Sequence, residues 1–224
     1  MPTAKNYQHF CMAARSLDVV GEKWSLLIVR DLLREPQRFT DLLRYLNDIT
    51  PKGLTTRLRD LEAEGIVERD TQEGRREVWY HLTDKGRDLG PVLRELVMWG
   101  AKYARRPPLP EEVVHPEHLM NGLAAFLNAN EINAPDTTAW AFHFGDGDPF
   151  TVQFSDGSWT VHRKSQDANV VIETTPRAWA TYVMGSPAER RAIKGDVKIS
   201  GSERRVDEFL DFLKRRDQLL VHED

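Results

Sequence analysis

Lys52, Thr55, Thr56 and Arg59 fall within the stretch "TPKGLTTRLRDLEAEG", residues 50–65. At 100° per residue these four cluster on one side of a helix, while Leu54, Leu58 and Leu61 cluster on the other. Ammonium, guanidinium and hydroxyl groups on a common face are suited to phosphate oxygens and base edges, so the chemistry on offer is recognition of a nucleic acid. A merely solvated polar face is the plain alternative for any one of them. Covalent chemistry finds no such group. The sequence has no nucleophile elbow, phosphate loop or zinc-protease motif, so no catalytic residue is nominated and no cofactor is expected. "HPEH" sets His115 and His118 three apart without a third ligand, so no metal site is expected, and "GDGD" (145–148) suits a hairpin turn better than a calcium loop.

The elements that must position the four residues follow from local signals. Thr50 before Pro51 starts a helix, because the Thr hydroxyl accepts from free N–H groups and Pro at the first position has none to lose. Gly65 stops it. Upstream, 12–20 and 22–35 are helical patterns joined at Gly21, with Trp24, Leu27, Ile28 and Leu32 spaced for a core; "RFTDLLRYL" (38–46) is a third helix. A short helix, a turn and the helix at 51–64 make a helix-turn-helix. Next come strand-like 66–70 and 76–83 around "TQEGR", a wing whose Arg75 and Arg76 would reach a neighbouring phosphate or minor groove. Arg38 is a further candidate phosphate contact. Thr83 then caps a helix over 84–103, bent at Pro91. Its Leu89, Val92, Leu93, Leu96, Val97 and Trp99 exceed what one small domain needs, which points to a partner helix from a second subunit.

The 224 residues suffice for two cores. The net charge of −4 would argue against a polyanionic partner were it uniform, but residues 1–108 carry 19 Lys and Arg against 16 Asp and Glu, and 109–224 carry 12 against 19. The balance of +3 and −7 assigns any phosphate contact to the first part. "ARRPPLPEEVVHPEH" (104–118) holds four prolines and is expected to be a short stiff linker. Expected domains are therefore 1–106, a linker at 107–116, and 117–224. Cys11 is the sole cysteine, which excludes an internal disulfide framework. With neither a signal-peptide pattern nor a membrane-length apolar run, a cytoplasmic protein without membrane association is expected.

In the second half, 117–130 has a helical pattern, and 138–144, 150–154, 158–163 and 169–174 alternate as the strands of an antiparallel sheet. Helices at 176–185 and 187–193, a strand in 195–201 and a final helix from Glu203 complete an α+β domain. Trp140, Phe142, Phe154, Trp159, Trp179 and Met184 either fill its core or line a cavity for an apolar ligand.

The segments "LDVVGEKWSLLIVRDLL", "RFTDLLRYLNDITPKGLTTRLRDLEAEGIVERD" and "VWYHLTDKGRDLGPVLRELVMWG" resemble the HxlR-type winged-helix transcriptional regulators over residues 11–103. The resemblance implies a mainly α winged helix-turn-helix that binds operator double-stranded DNA, with an inverted repeat matched to a homodimer paired through its first and last helices. It also implies a role for Cys11 as a redox sensor, where the residue alone is read as a small buried hydrophobe. "VVIETTPRAWATYVMGSPAERRAIKGDVKISG" (170–201) resembles the sterol-carrier-protein type 2 fold, which implies a small apolar ligand. The competing reading is a lipid or small-molecule carrier whose winged helix serves protein contacts; a protein-docking helix face should be more apolar than that of 51–64.

Overall fold

The computed structural model describes residues 6–70, 77–164 and 167–220, with side chains described as far as Lys214. The chain forms two compact units, Met1–Glu95 and Leu96–Asp224.

The first unit runs α1 (Met12–Val20), α2 (Ser25–Leu32), β1 (Gln37–Arg38), α3 (Phe39–Leu46), α4 (Pro51–Ala63), β2 (Val67–Asp70), β3 (Trp79–Leu82) and α5 (Asp84–Arg87), then enters α6 (Gly90–Tyr103). Ile28, Leu42, Leu54 and Ile66 are wholly buried and Leu58 and Leu61 nearly so, which places the apolar stripe of α4 in the core. Each such side chain contributes about 1.5–3 kcal/mol by leaving water. Three expectations need correction. The helix expected from residue 22 begins at Ser25, because Trp24 holds a left-handed φ of 82° that an L-residue cannot propagate. Leu27, placed in the core by spacing, is 37% exposed. The helix expected over 84–103 is two helices interrupted at Asp88 and Leu89. Pro91 lacks an N–H and its ring clashes with the carbonyl four residues back, so the ladder is broken instead of bent. Strand β1 was not foreseen; two residues carry no period, yet Gln37 pairs with Tyr80 and Arg38 with Trp79, giving a sheet of order β1-β3-β2.

No helix or strand occurs between Tyr103 and α7 (Pro116–Ala129), as the prolines dictate. The second unit continues with β4 (Ala139–Phe144), β5 (Phe150–Ser155), β6 (Ser158–His162), β7 (Val170–Thr174), α8 (Pro176–Met184), α9 (Pro187–Ala192), a 3-10 turn, β8 (Lys198–Gly201) and α10 (Glu203–Leu220). The five strands are ordered β6-β5-β4-β7-β8. The sheet is mixed, not antiparallel as expected, because β7 pairs parallel to β4, Val170 beside Trp140. A parallel neighbour requires a crossover connection, which falls between β6 and β7. The buried Thr151 of β5 donates its hydroxyl to Lys164 O at 2.8 Å just after β6, and Asn169 Oδ1 accepts from Ala139 N at 2.8 Å just before β7. Phe142, Val152, Ile172, Trp179 and Phe209 form the centre of the core.

Candidate nucleic-acid interface

Helix α4 is fixed at both ends. At its start Thr50 Oγ1 accepts from Gly53 N at 3.0 Å. At its end Gly65 takes a left-handed φ of 65°, and Ile66 N reaches back to Leu61 O at 2.9 Å while Gly65 N bonds Glu62 O at 3.0 Å. That paired closure satisfies last-turn carbonyls and buries Ile66 beside Leu61. The Thr83 hydroxyl donates to Gly65 O at 2.7 Å and accepts from Gly86 N at 3.1 Å, so α5 is seated against the end of α4. Arg57 adds a lateral tie, pairing with Glu22 at 3.6 Å and Asp60 at 3.1 Å.

What this frame presents outward is Lys52, Thr56 and Arg59, all exposed, with Thr55 half-buried. Among the described residues Lys52 and Arg59 have no hydrogen-bond or ion-pair partner within the chain. The threonines behave differently from the donors anticipated: Thr55 Oγ1 donates to Pro51 O at 2.9 Å and Thr56 Oγ1 to Lys52 O at 3.0 Å. With their protons committed to the helix, they offer methyl groups and lone pairs outward.

Arg38 is neither idle nor free. Its Nε donates to Asp41 at 2.9 Å and its Nη1 to Glu77 at 3.0 Å, and it lies over the Trp79 ring at 5.6 Å; those carboxylates hold its pKa above the ordinary value. It joins α3 to β3. Arg75 and Arg76 lie outside the described residues. Arg69, which the sequence reading omitted, is exposed on β2 opposite Tyr80. Burial pushes the Tyr80 hydroxyl up, and the charges of Arg69 and Arg59 oppose it. In sequence Arg69 is one charged residue in the run Glu68, Arg69 and Asp70, and its exposed place opposite Tyr80 follows only from the β2–β3 register.

Cys11 is a half-buried free thiol at the N-cap of α1, where its side chain makes no cap hydrogen bond. His115 and His118 stack edge to face at 5.2 Å, and no cluster of metal-ligating residues occurs among the described residues. In the second unit a cleft of about 710 Å³ opens between residues 131–135, the start of β4 and α10. Trp140 and Trp159 line it, together with Phe209 and Phe212, which were not anticipated. Phe142, Phe154 and Trp179 lie in the core and Met184 packs at its margin. Trp140 centres the aromatic floor, 4.6 Å from Trp159, 4.9 Å from Phe209 and 5.0 Å from Phe212. The Trp159 indole donates to Ile132 O at 2.6 Å, and Asn133, Arg205, Glu208 and Asp211 form a polar rim.

Helix, turn, outward-facing helix and three-stranded wing define the first unit as a winged helix-turn-helix. The chain belongs to the HxlR-like helix-turn-helix family, matched over residues 19–107. It is 37% identical over 90 residues to the uncharacterized HTH-type transcriptional regulator YvaP of Bacillus subtilis (strain 168), covering 40% of this chain and 83% of that one. To the regulator YkvN of the same organism it is 38% identical over 105 residues, covering 46% and 89%. Among solved structures, the redox regulator HypR in its oxidized form is 34% identical, with 44% of this chain and 100% of that chain covered and a TM-score of 0.40.

Proposed function

We propose that this protein is a transcription regulator that binds operator DNA as a homodimer through α4 and the wing. The observation that carries the reading is the two-sidedness of α4: Leu54, Leu58 and Leu61 buried, Lys52, Thr56 and Arg59 exposed. Lys52 and Arg59 would meet phosphates or base edges in the major groove, and Arg69 with the wing would meet the adjoining backbone. Arg38 acts by holding the wing to α3. Support for a homodimer comes from α6, where Val92, Leu96, Val97, Trp99 and Tyr103 are 43–62% exposed; such an apolar surface suits a self-complementary helix pair. Selection of bound duplexes from a random pool, followed by footprinting, tests the reading. An inverted repeat is expected; binding that prefers no sequence at physiological salt would overturn it.

The second unit is read as a sterol-carrier-like domain that takes a small apolar ligand in the cleft floored by Trp140, Trp159, Phe209 and Phe212. The cleft's size lies in the range of small-molecule sites. Native mass spectrometry of freshly purified protein checks this: a bound apolar molecule is expected, and a uniform unliganded mass that organic extracts leave unchanged would count against it.

A further inference from the structure

The segment leaving α6 is held by α8 at both of that helix's ends. In the first turn of α8, Arg177 Nη1 donates to Pro108 O at 3.3 Å and Leu109 O at 2.8 Å, and Nη2 to Pro110 O at 3.1 Å and Glu112 O at 2.5 Å. At its last residue, Met184 O accepts from Arg105 Nε at 3.2 Å. Between these points Glu112 accepts from Arg106 Nη1 at 2.8 Å and from Leu109 N at 2.8 Å. Pro107, Pro108 and Pro110 have no N–H, so the segment cannot be held by strand pairing and must be gripped through its carbonyls. A guanidinium, planar, permanently charged and carrying five donors, is the one side chain able to serve four carbonyls together. Helix α8 is itself seated in the core. Its Trp179 meets Phe142 of the central strand at 5.1 Å and Phe209 of α10 at 6.3 Å.

We infer that Arg177 is a positioning residue that makes α8 a splint for residues 105–112, so that a shift of α8 against the sheet is delivered to the last turn of α6. The stiffness expected from the prolines alone is thus imposed from outside, by a helix whose opposite face lies in the core. The splint needs no ligand. Its use in regulation rests on the DNA-binding reading above.

The test is amide hydrogen exchange on the full chain. Leu109 N, bonded to Glu112, and Glu112 N, bonded to Leu109 O at 3.0 Å, are the reporters. Arg177→Ala is expected to raise their exchange at least about tenfold while β4, β5 and β7 keep their protection. Arg177→Lys, which retains charge and stem but loses the fork, is expected to raise it as well; it serves as the test should the alanine variant lose core protection. Trp179→Phe, which repositions α8, is expected to change exchange at 109–112 in the parent chain and to add nothing once Arg105→Ala and Arg177→Ala are both present. Unchanged exchange in both Arg177 variants, or an equal Trp179→Phe effect in both backgrounds, overturns the splint. Affinity for a selected operator separates the regulatory use: Trp179→Phe should shift it only where Arg177 is intact. If exchange behaves as expected and this affinity does not move, the splint stands and its regulatory role fails.

Discussion

Two arginines two positions apart on α4 have opposite duties. Arg57 is mostly buried and spends its charge on Glu22 and Asp60, whereas Arg59 faces solvent unpaired among the described residues. Arg59→Ala is therefore expected to weaken operator binding by about 1–3 kcal/mol if it reads a base, or to reduce the slope of log affinity against log salt by about 1 if it meets a phosphate. Arg57→Ala should leave that slope unchanged and lower stability by no more than about 1 kcal/mol, since both carboxylate partners are more than half exposed. Paired salt titrations and thermal melts of the two variants distinguish these outcomes, and a change of slope in Arg57→Ala would contradict the assignment. The direction in which Lys52 and Arg59 point was legible, because helical period alone decides it. The duties of Arg57, Arg38 and Arg69 were not, since Glu22, Glu77 and Tyr80 approach from elements remote in sequence.

At the level of elements, start and stop signals were legible one by one: Thr50, Gly65 and Thr83 all do what their chemistry predicts. That Gly65 and Thr83 meet at one joint was not, because sequence gives each helix end without its neighbour. Gly86 completes that joint. A Cβ there would stand 2.2 Å from Ile66 O and 3.0 Å from Leu82 Cδ2, and a backbone carbonyl cannot swing aside as a side-chain tip can. Gly86→Ala is expected to destabilise the first unit by about 1–3 kcal/mol or more, seen as a lower melting temperature; an unchanged melt would mean that the α4–α5 joint tolerates opening. The strap on α8 makes a separate prediction about acid. Arg106 and the Leu109 N–H hold the Glu112 carboxyl down to about 2, with Arg177 adding to the pull. A folded-state pKa below the unfolded one stabilises fully above the unfolded value and loses the effect as pH falls through the folded one. Protection of Leu109 N should therefore survive down to about pH 3, and its loss near pH 4–5 in exchange measurements would refute the pairing. The parallel placement of β7 and the break before Pro91 escaped the sequence, one because alternation is blind to strand direction and the other because a proline's neighbours decide between a bend and a stop.

For the molecule as a whole, assembly is the first consequence. With Leu96, Trp99 and Tyr103 exposed along α6, sedimentation at micromolar concentration is expected to show a dimer, and Leu96→Glu to weaken it at least about tenfold. Operator affinity should fall with it, since two half-sites about 34 Å apart reward two linked recognition helices. A monomer in the parent chain, with and without DNA, would remove this reading. The second consequence concerns time. The β4–β5 pair closes a short span, Phe142 against Phe150, whereas β4 and β7 join Trp140 to Val170; closing the longer span costs roughly 1 kcal/mol more in chain entropy. The hairpins β4–β5 and β5–β6 are local, and β7 can add only to an edge that β4 already presents. Pulse labelling during refolding should accordingly protect β4, β5 and β6 before β7 and β8. The edge of β4 then stays open for an interval. During that interval an extended strand from another copy could take the place of β7, so the crossover that completes the sheet also marks where a slowly folding chain is most exposed to misassembly.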